Sequence, residues 1–344
     1  MLTAAGVSIG VGLIVALLSL TAGAKRTADE LIHVGRADFG LFQRGIADLT
    51  QSRLPASLAA RVDREPGVKQ TARIYLLVTK KLLVFGLDPN EFAAQRLVIV
   101  EGSRPSGNEA LLGDAAARHL HLRPGGELRL GRRRFRVAGV YHTGTSFEDR
   151  GAVLPLGVAQ RLAGRPGEVT TIGVEVTLRA RPSDVARRLE RDFPGTLGVS
   201  EPGQAVKIDT SSRLIVSTGW ILSLLALIVG GIAVTNTMAM SVFERVREIG
   251  ILRAVGWRTR QVAGLVVSEA LGICLAGLAL GVGLGIAAAE LFTTGETGTL
   301  LQPDFTPGVF AWGLAFALAV ALLGATYPAW RAARLAPIEA LQRE

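Results

Sequence analysis

Cysteine is almost missing from these 344 residues: Cys274 stands alone inside an apolar run, which excludes an intrachain disulfide framework and a cysteine-based metal site. No glycine is followed by lysine, so the Gly-Lys-Ser/Thr end of a phosphate-gripping Walker A loop does not occur. Histidine is scarce at four, and lysine at five against 33 arginines. Charge itself is absent from long stretches. Leu2–Ala24, Leu214–Met240 and Thr306–Ala329 contain no charged side chain, and Val262–Ala289 contains only Glu269. A bilayer core needs about 20 apolar residues in a helix, and each stretch meets that length. Buried helices of a water-soluble core would be shorter and would show a polar face, so four membrane spans are expected. With one acid among them, the spans offer no chain of charges for an ion or proton relay, which argues against a secondary transporter.

The charge that is present is segregated. Mean hydropathy is +0.36 although the chain carries 67 Lys, Arg, Asp and Glu residues, and 30 of the 38 bases lie between Ala24 and Arg213 beside 21 acids. That mixture describes a solvated surface, so the formal charge of +9 does not call for nucleic acid. The fold class expected is an α-helical membrane protein with four transmembrane helices and an α+β extracytoplasmic domain inserted between helices 1 and 2. The expected division is 2–24 (span 1), 25–213 (outer domain), 214–240 (span 2), 241–261 (inner loop), 262–289 (span 3), 290–305 (outer loop), 306–329 (span 4) and 330–344 (tail). The outer domain is further divisible into 25–90 with 168–213, and 91–167.

Orientation follows from short-loop arginines, which stay cytoplasmic. Loop 241–261 holds Arg245, Arg247, Arg253, Arg258 and Arg260 against Glu244 and Glu248, whereas Glu290, Glu296 and Asp304 are the only charges between spans 3 and 4. The loop 241–261 and both termini are therefore expected inside. Ala22-Gly23-Ala24 resembles a signal-peptidase site, but no base precedes the apolar run, and an uncleaved anchor is expected. Glycine recurs every fourth residue at Gly277, Gly281 and Gly285, and at Gly6 and Gly10, a spacing that lets helix backbones approach. Glu269 is expected near the inner border, paired with an arginine or a backbone donor.

In the outer domain, strands are expected at Ile74–Thr79, Leu82–Phe85, Leu97–Val100, Glu127–Leu130, Phe135–Tyr141 and Ile172–Leu178. Helices are expected at Pro55–Arg64, Asp114–Leu120, Leu156–Leu162 and Ser183–Asp192, the last capped by Ser183. Gly131–Arg134 reads as a hairpin tip whose arginines are solvated or touch anionic lipid or glycan. No catalytic residues are expected. Gly6-Val-Ser-Ile-Gly10 matches a nucleophile-elbow pattern but sits in a span, without the strand and turn that motif needs. A metal site could draw on His119, His121 and His142 with Glu148 and Asp149, but a His-x-His pair reads first as solvent-exposed polar residues, and no metal is expected.

The inner loop is the most informative stretch. As a helix it aligns Phe243, Val246, Ile249, Leu252 and Val255 on one side, with Gly250 and Gly256 as places to bend or stop. It reads either as an interfacial helix on the headgroups or as a helix docking into a groove on a cytoplasmic partner. The stretch Glu244-Arg245, Arg247-Glu-Ile-Gly-Ile-Leu-Arg-Ala254-x-Gly256, then Ser268-Glu269-Ala270, then Pro328-Ala329-x-Arg331-Ala-Ala333 and Pro337-x-Glu339-Ala-Leu341, resembles the FtsX-like permeases, which include MacB-type exporters. Leu2–Val11 is similar to that family's first span, where the family carries a basic amphipathic helix before it. Asn108–Gly113 and Phe135–Val140 are similar to the MacB-type periplasmic core.

The resemblance implies a permease subunit of an ABC transporter in the bacterial inner membrane, with no cofactor of its own, and with ATP and Mg on a partner. It implies a cytoplasmic ABC ATPase dimer docked on Phe243, Glu244, Arg245, Val246, Arg247, Glu248, Ile249, Leu252 and Arg253, and a second permease copy or homologue. An extracytoplasmic adaptor or hydrolase and membrane lipid are further expected partners. Movement of the outer domain would export or extract a hydrophobic or lipid-linked substrate. The alternative is a transmembrane signalling subunit that activates a cell-wall enzyme without transport.

Overall fold

The computed structural model describes residues 2–79, 82–201, 210–293 and 303–334. The motif Pro337–Leu341 and most of the loop 290–305 lie outside them. The chain divides into two compact units: Gly23–Leu214 with Gly295–Gln302, and Met1–Ala22 with Ile215–Thr294 and Pro303–Glu344. Helix α1 (Leu2–Ile32) is unbroken through Ala22–Ala24, and its last turns belong to the first of these, the outer unit.

The outer unit is built on a mixed sheet. Its strands are β1 (Phe39–Gln43), β3 (Val68–Val78), β4 (Leu83–Leu87), β5 (Val98–Gly102), β6 (Glu109–Gly113), β7 (Glu127–Leu130), β8 (Arg133–His142), β9 (Ala152–Pro155), β11 (Thr171–Val176) and β12 (Thr196–Val199). They run in the order β12-β1-β11-β3-β4-β9-β6-β8-β5, with β7 hairpinned onto β8, and a separate pair joins β2 (Leu54–Pro55) to β10 (Glu168–Val169). Alternation along the strands sends Val84, Leu112 and Leu154 to one face and Leu83, Phe85, Leu111 and Val153 to the other, so both faces carry a core. Helices α2 (Ala59–Val62), α4 (Asp114–Leu120), α6 (Leu156–Leu162) and α7 (Pro182–Asp192) pack on the first face. Helix α3 (Phe92–Gln95), α5 (Ser146–Asp149) and the end of α1 pack on the second.

The two expected subdivisions appear as halves of this one sheet. They join where β4 and β9 run parallel, Val84 opposite Ala152 and Phe85 opposite Val153. Both cores continue through both halves, so neither half has a core to itself.

Several expectations are corrected. Strand β3 begins at Val68 rather than Ile74, because polar Lys69–Thr71 is held by pairing with β11, which a search for apolar alternation passes over. Strands β1, β6, β9 and β12 are short and broken by glycine or proline, and pairing rather than propensity makes them strands. The helix expected at Pro55–Arg64 is a strand at Leu54–Pro55 paired to β10, a 3-10 turn at Ala56–Leu58 and then α2. Ser183 is not a cap: Pro182 takes the first helical position of α7 and Arg181 precedes it without a side-chain cap bond.

The membrane unit contains the apolar part of α1 with α8 (Thr210–Glu244) from Ile215 onward, α9 (Val246–Ala254), α10 (Thr259–Thr293) and α11 (Pro307–Ala333). Among the described residues, four helices are long and apolar enough to cross a membrane. Each overruns its apolar stretch at one end or both, because a helix does not stop where the hydrocarbon does. Packing is by small residues. A Cβ on Gly281 would lie 2.6 Å from the Ser8 carbonyl oxygen, and one on Gly285 would lie 2.7 Å from that of Gly12, so α1 and α10 touch backbone to backbone. Gly277 is buried on the same side of α10. Gly10 faces Ala226 of α8 and Phe316 of α11 at ordinary contact distance, and Gly6 faces Ala233. Thr235 Oγ1 of α8 donates to the Gly324 carbonyl of α11 at 2.9 Å, a hydrogen bond between spans.

Candidate functional site

The loop 241–261 is a helix set between two spans. Helix α8 ends at Glu244, and Arg245 leaves the helical conformation at φ −108° and ψ 21°. Gly250, one expected bend, lies inside α9, whereas Gly256 is the stop: at φ 104° it lets Trp257 N–H donate to Leu252 C=O at 3.0 Å and its own N–H to Arg253 C=O at 3.2 Å. This is a Schellman ending, open to glycine at no steric cost. Arg258 N–H then donates to Gln261 Oε1 at 2.8 Å as α10 begins.

The faces of α9 differ from the sequence expectation. Val246 and Ile249, expected as anchors on a partner, are 9% and 4% exposed. Ile249 belongs to the unit's own core with Val242, Val262, Val266, Ala329 and Ala332. The threefold alignment marked the side that seats the helix, because the spans present an apolar shelf of their own. Leu252 and Arg253 are half-buried, and Arg253 donates from Nη1 to Trp257 C=O at 3.1 Å. Glu244, Arg247, Glu248, Ile251 and Val255 are exposed, the last two at 48% and 78%. Phe243 is also outside α9 and serves its own unit, with the Arg331 guanidinium 4.9 Å from its ring centre. Glu269, on α10, meets Arg245 Nη1 at 3.4 Å and Ser241 Oγ at 3.5 Å. The carboxylate thus ties α10 to the junction of α8 and α9.

In the outer unit, the end of α1 is latched to α5 by carboxylates exchanged for backbone donors. Glu30 Oε2 accepts from Phe147 N–H at 2.7 Å, while Arg26 holds Glu30 Oε1 at 2.9 Å. In return Glu148 Oε1 accepts from Gly35 N–H at 2.7 Å and Oε2 from Thr145 Oγ1 at 3.2 Å. Burial pushes the Glu148 carboxyl above its ordinary range, against the pull of these donors. Tyr141 OH donates to the Glu148 carbonyl at 2.6 Å, and the phenol, fully enclosed, is pushed well above its usual value. Gly35, at φ 68°, fits against Ala93 where a Cβ would overlap it. No sequence signal marks this latch, since its partners stand more than a hundred residues apart.

The metal candidates separate. His119 and His121 are exposed, and His121 ends α4 in the left-handed conformation. Glu148 belongs to the latch. His142 and Asp149 come together with Asp114, which the sequence reading had not included. The expected tip narrows to the two residues Gly131 and Arg132, because Arg133 and Arg134 already pair in β8, Arg134 reaching Glu127 at 3.6 Å. An open groove of about 350 Å³ runs along the C-terminal part of β3, between Asp48, Thr50 and Arg53 on one side and Tyr75–Val78 and Arg165 on the other.

Residues 1–192 match the MacB-like periplasmic core domain, and residues 220–337 the FtsX-like permease C-terminal region. The chain belongs to the MacB-type, FtsX-like permease family. A macrolide export ATP-binding/permease protein MacB from Agrobacterium fabrum is 27% identical over all of this chain and 58% of its own length. An uncharacterised ABC transporter permease from Methanocaldococcus jannaschii is 28% identical over 65% of this chain and 58% of its own. The periplasmic region of MacB from Actinobacillus actinomycetemcomitans superposes on 49% of this chain and 90% of its own at 13% identity, with a TM-score of 0.37. The chain thus spans 58% of the length of the first of these relatives. Family and helices together make it an ABC-transporter permease of the inner membrane whose sheet domain lies outside the cytoplasm.

Proposed function

We propose that this permease transmits the nucleotide state of an associated ABC ATPase to its outer domain, and that movement of that domain exports or extracts a hydrophobic or lipid-linked substrate. The observation that carries the reading is the two-sidedness of α9: Ile249 roots it in the spans, and Arg247, Glu248, Ile251 and Val255 stand exposed on the other side. A helix rooted in one body and carrying exposed apolar and charged groups is a handle for a partner that moves it. The spans supply no relay of charges, so the work must come from outside them, and ATP with Mg is bound by the ATPase.

The working assembly is two permease copies, or one with a homologue, on an ATPase dimer. An extracytoplasmic adaptor or hydrolase and surrounding lipid are further partners. Val246 and Ile249 drop out of the ATPase contact, and Ile251 and Val255 enter it beside Arg247 and Glu248. Copurification of the co-expressed ATPase with the permease tests this. Ile251→Asp/Val255→Asp should release the ATPase and abolish stimulated hydrolysis, since buried interface anchors contribute about 2 kcal/mol or more each. Arg247→Glu should weaken capture chiefly at low salt. Full retention and full stimulation in the double variant would remove α9 from the interface.

A further inference from the structure

The outer unit brings one imidazole and two carboxylates together where the latch makes no use of them. His142 Nδ1 lies 2.8 Å from Asp149 Oδ2 and 3.5 Å from Asp114 Oδ2, and the three donor atoms fall within 4.8 Å of one another. We propose that Asp114, His142 and Asp149 bind a divalent transition-metal ion of the Zn²⁺ class on the outer domain.

The ligands come from three elements fixed by the sheet: Asp114 opens α4 directly after β6, His142 ends β8, and Asp149 ends α5. Gly113 lets β6 approach α5, because a Cβ there would overlap the Asp149 backbone, and its N–H donates to Gly151 C=O at 2.9 Å. Asp149 is the deepest ligand, its side chain 8% exposed. Thr143 fills one of its oxygens from two sides, N–H to Oδ1 at 2.7 Å and Oγ1 to Oδ1 at 2.9 Å, which leaves Oδ2 aimed at His142. Ligating carboxylates are oriented by outer hydrogen bonds of this kind. Bonds of about 2.0–2.2 Å at tetrahedral angles place neighbouring ligand atoms roughly 3.3–3.6 Å apart, and His142 Nδ1 lies 2.8 and 3.5 Å from the two carboxylate oxygens. An imidazole among carboxylates selects Zn²⁺ and its neighbours over Ca²⁺ or Mg²⁺, which take oxygen ligands. Half-exposed His142 leaves the ion open to water and exchange.

One cation competes. Arg118 Nη1 sits 3.0 Å from Asp114 Oδ2, an i,i+4 pair with the arginine 72% exposed. Such exposed pairs are weak, so an entering ion displaces the guanidinium, and its removal should improve the site. Without metal the same residues form a hydrogen-bonded His–Asp pair, and the two readings part on titration.

The test is calorimetric titration of the full chain in nanodiscs, tags removed, with ZnCl₂, and with CaCl₂ as the control. The expected result is saturable 1:1 Zn²⁺ binding, no Ca²⁺ binding, and affinity lowered on the order of tenfold or more by His142→Asn and by Asp149→Asn. Arg118→Gln should tighten binding several-fold, which loss of folding cannot imitate. A His119→Ala/His121→Ala variant should bind as the parent does. Absence of saturable Zn²⁺ binding, indifference to His142→Asn and Asp149→Asn, loss in the His119/His121 variant, or no gain in Arg118→Gln would each overturn the assignment.

Discussion

Among the described residues, the twelve largest fully enclosed side chains, including Tyr141, Phe39, Phe42, Phe85 and Phe135, all belong to the outer unit. The membrane unit buries chiefly valine, alanine and glycine, and turns Leu224, Leu280, Trp312 and Leu323 outward. The difference follows from solvent. In water, removing a large apolar side chain from solvent stabilises the fold, so the sheet collects aromatics on both faces. In lipid, a leucine gains little by turning inward, and what discriminates the native packing is close backbone approach and polar pairing between spans. Truncating a large apolar side chain should therefore cost far more in the outer unit than on the lipid-facing side of the spans.

The largest effect that can break this comparison is at α10. Gly281→Leu should prevent α1 and α10 from meeting, and native permease should be lost from detergent extracts. Gly283→Leu, two residues on, should be silent, because nothing lies within 4 Å of its added Cβ. Size-exclusion profiles of the two variants check this; equal behaviour would mean that the glycine contact does not hold the spans. Next comes the outer core. Phe85, 1% exposed and edge-on to Phe147 at 5.5 Å, should cost about 3–5 kcal/mol on change to Ala, while Leu280→Ala, 61% exposed on α10, should cost almost nothing. Chemical denaturation of the outer-domain transition measures the first and thermal inactivation the second.

The latch sharpens the comparison at intermediate size. Glu148→Ala leaves the Gly35 N–H without its acceptor and should destabilise the outer unit by about 1–3 kcal/mol. Glu148→Gln keeps an acceptor oxygen without a charge to desolvate and should be neutral or stabilising at pH 7. The folded carboxyl is raised, so its contribution to stability is complete below the ordinary Glu value near 4.3 and is lost as pH rises through the folded value. Melting curves between pH 4 and 8 should show a steeper decline in the parent than in Glu148→Gln, where the raised Glu91 still contributes. The smallest loss above zero is at the polar pair in the spans: Glu269→Gln should cost about 0.6 kcal/mol, and not much above 1.7, typical of polar contacts between membrane helices.

The membrane architecture is legible in the sequence because charge is simply missing from four stretches, and the arginines of the short loop 241–261 need no tertiary contact to be seen. The Arg245–Glu269 pair follows the same logic, since one carboxylate in an apolar helix must find a partner. The side of α9 that meets a partner is not legible. Val246 and Ile249 have the spacing of a docking stripe, and only the shelf formed by Val262, Val266 and Ala329 shows that the stripe is already occupied. The latch and the Asp114–His142–Asp149 cluster are hidden for another reason. Strand order β9-β6-β8 joins segments far apart in sequence, and nothing local marks Asp114 as a neighbour of Asp149.

The central claim is that the nucleotide state of the ATPase moves the outer domain through α9. It is tested most directly by spin labels at Arg132→Cys, on the exposed hairpin tip, in a Cys274→Ala permease assembled with its co-expressed ATPase in nanodiscs. The pulsed-EPR distance distribution between the two permease copies is measured nucleotide-free and with ATP trapped before hydrolysis. The account expects two distinct distributions in the parent and one, unchanged by nucleotide, in Ile251→Asp/Val255→Asp. Identical distributions in both states of the parent, with ATP bound and hydrolysis intact, would contradict it.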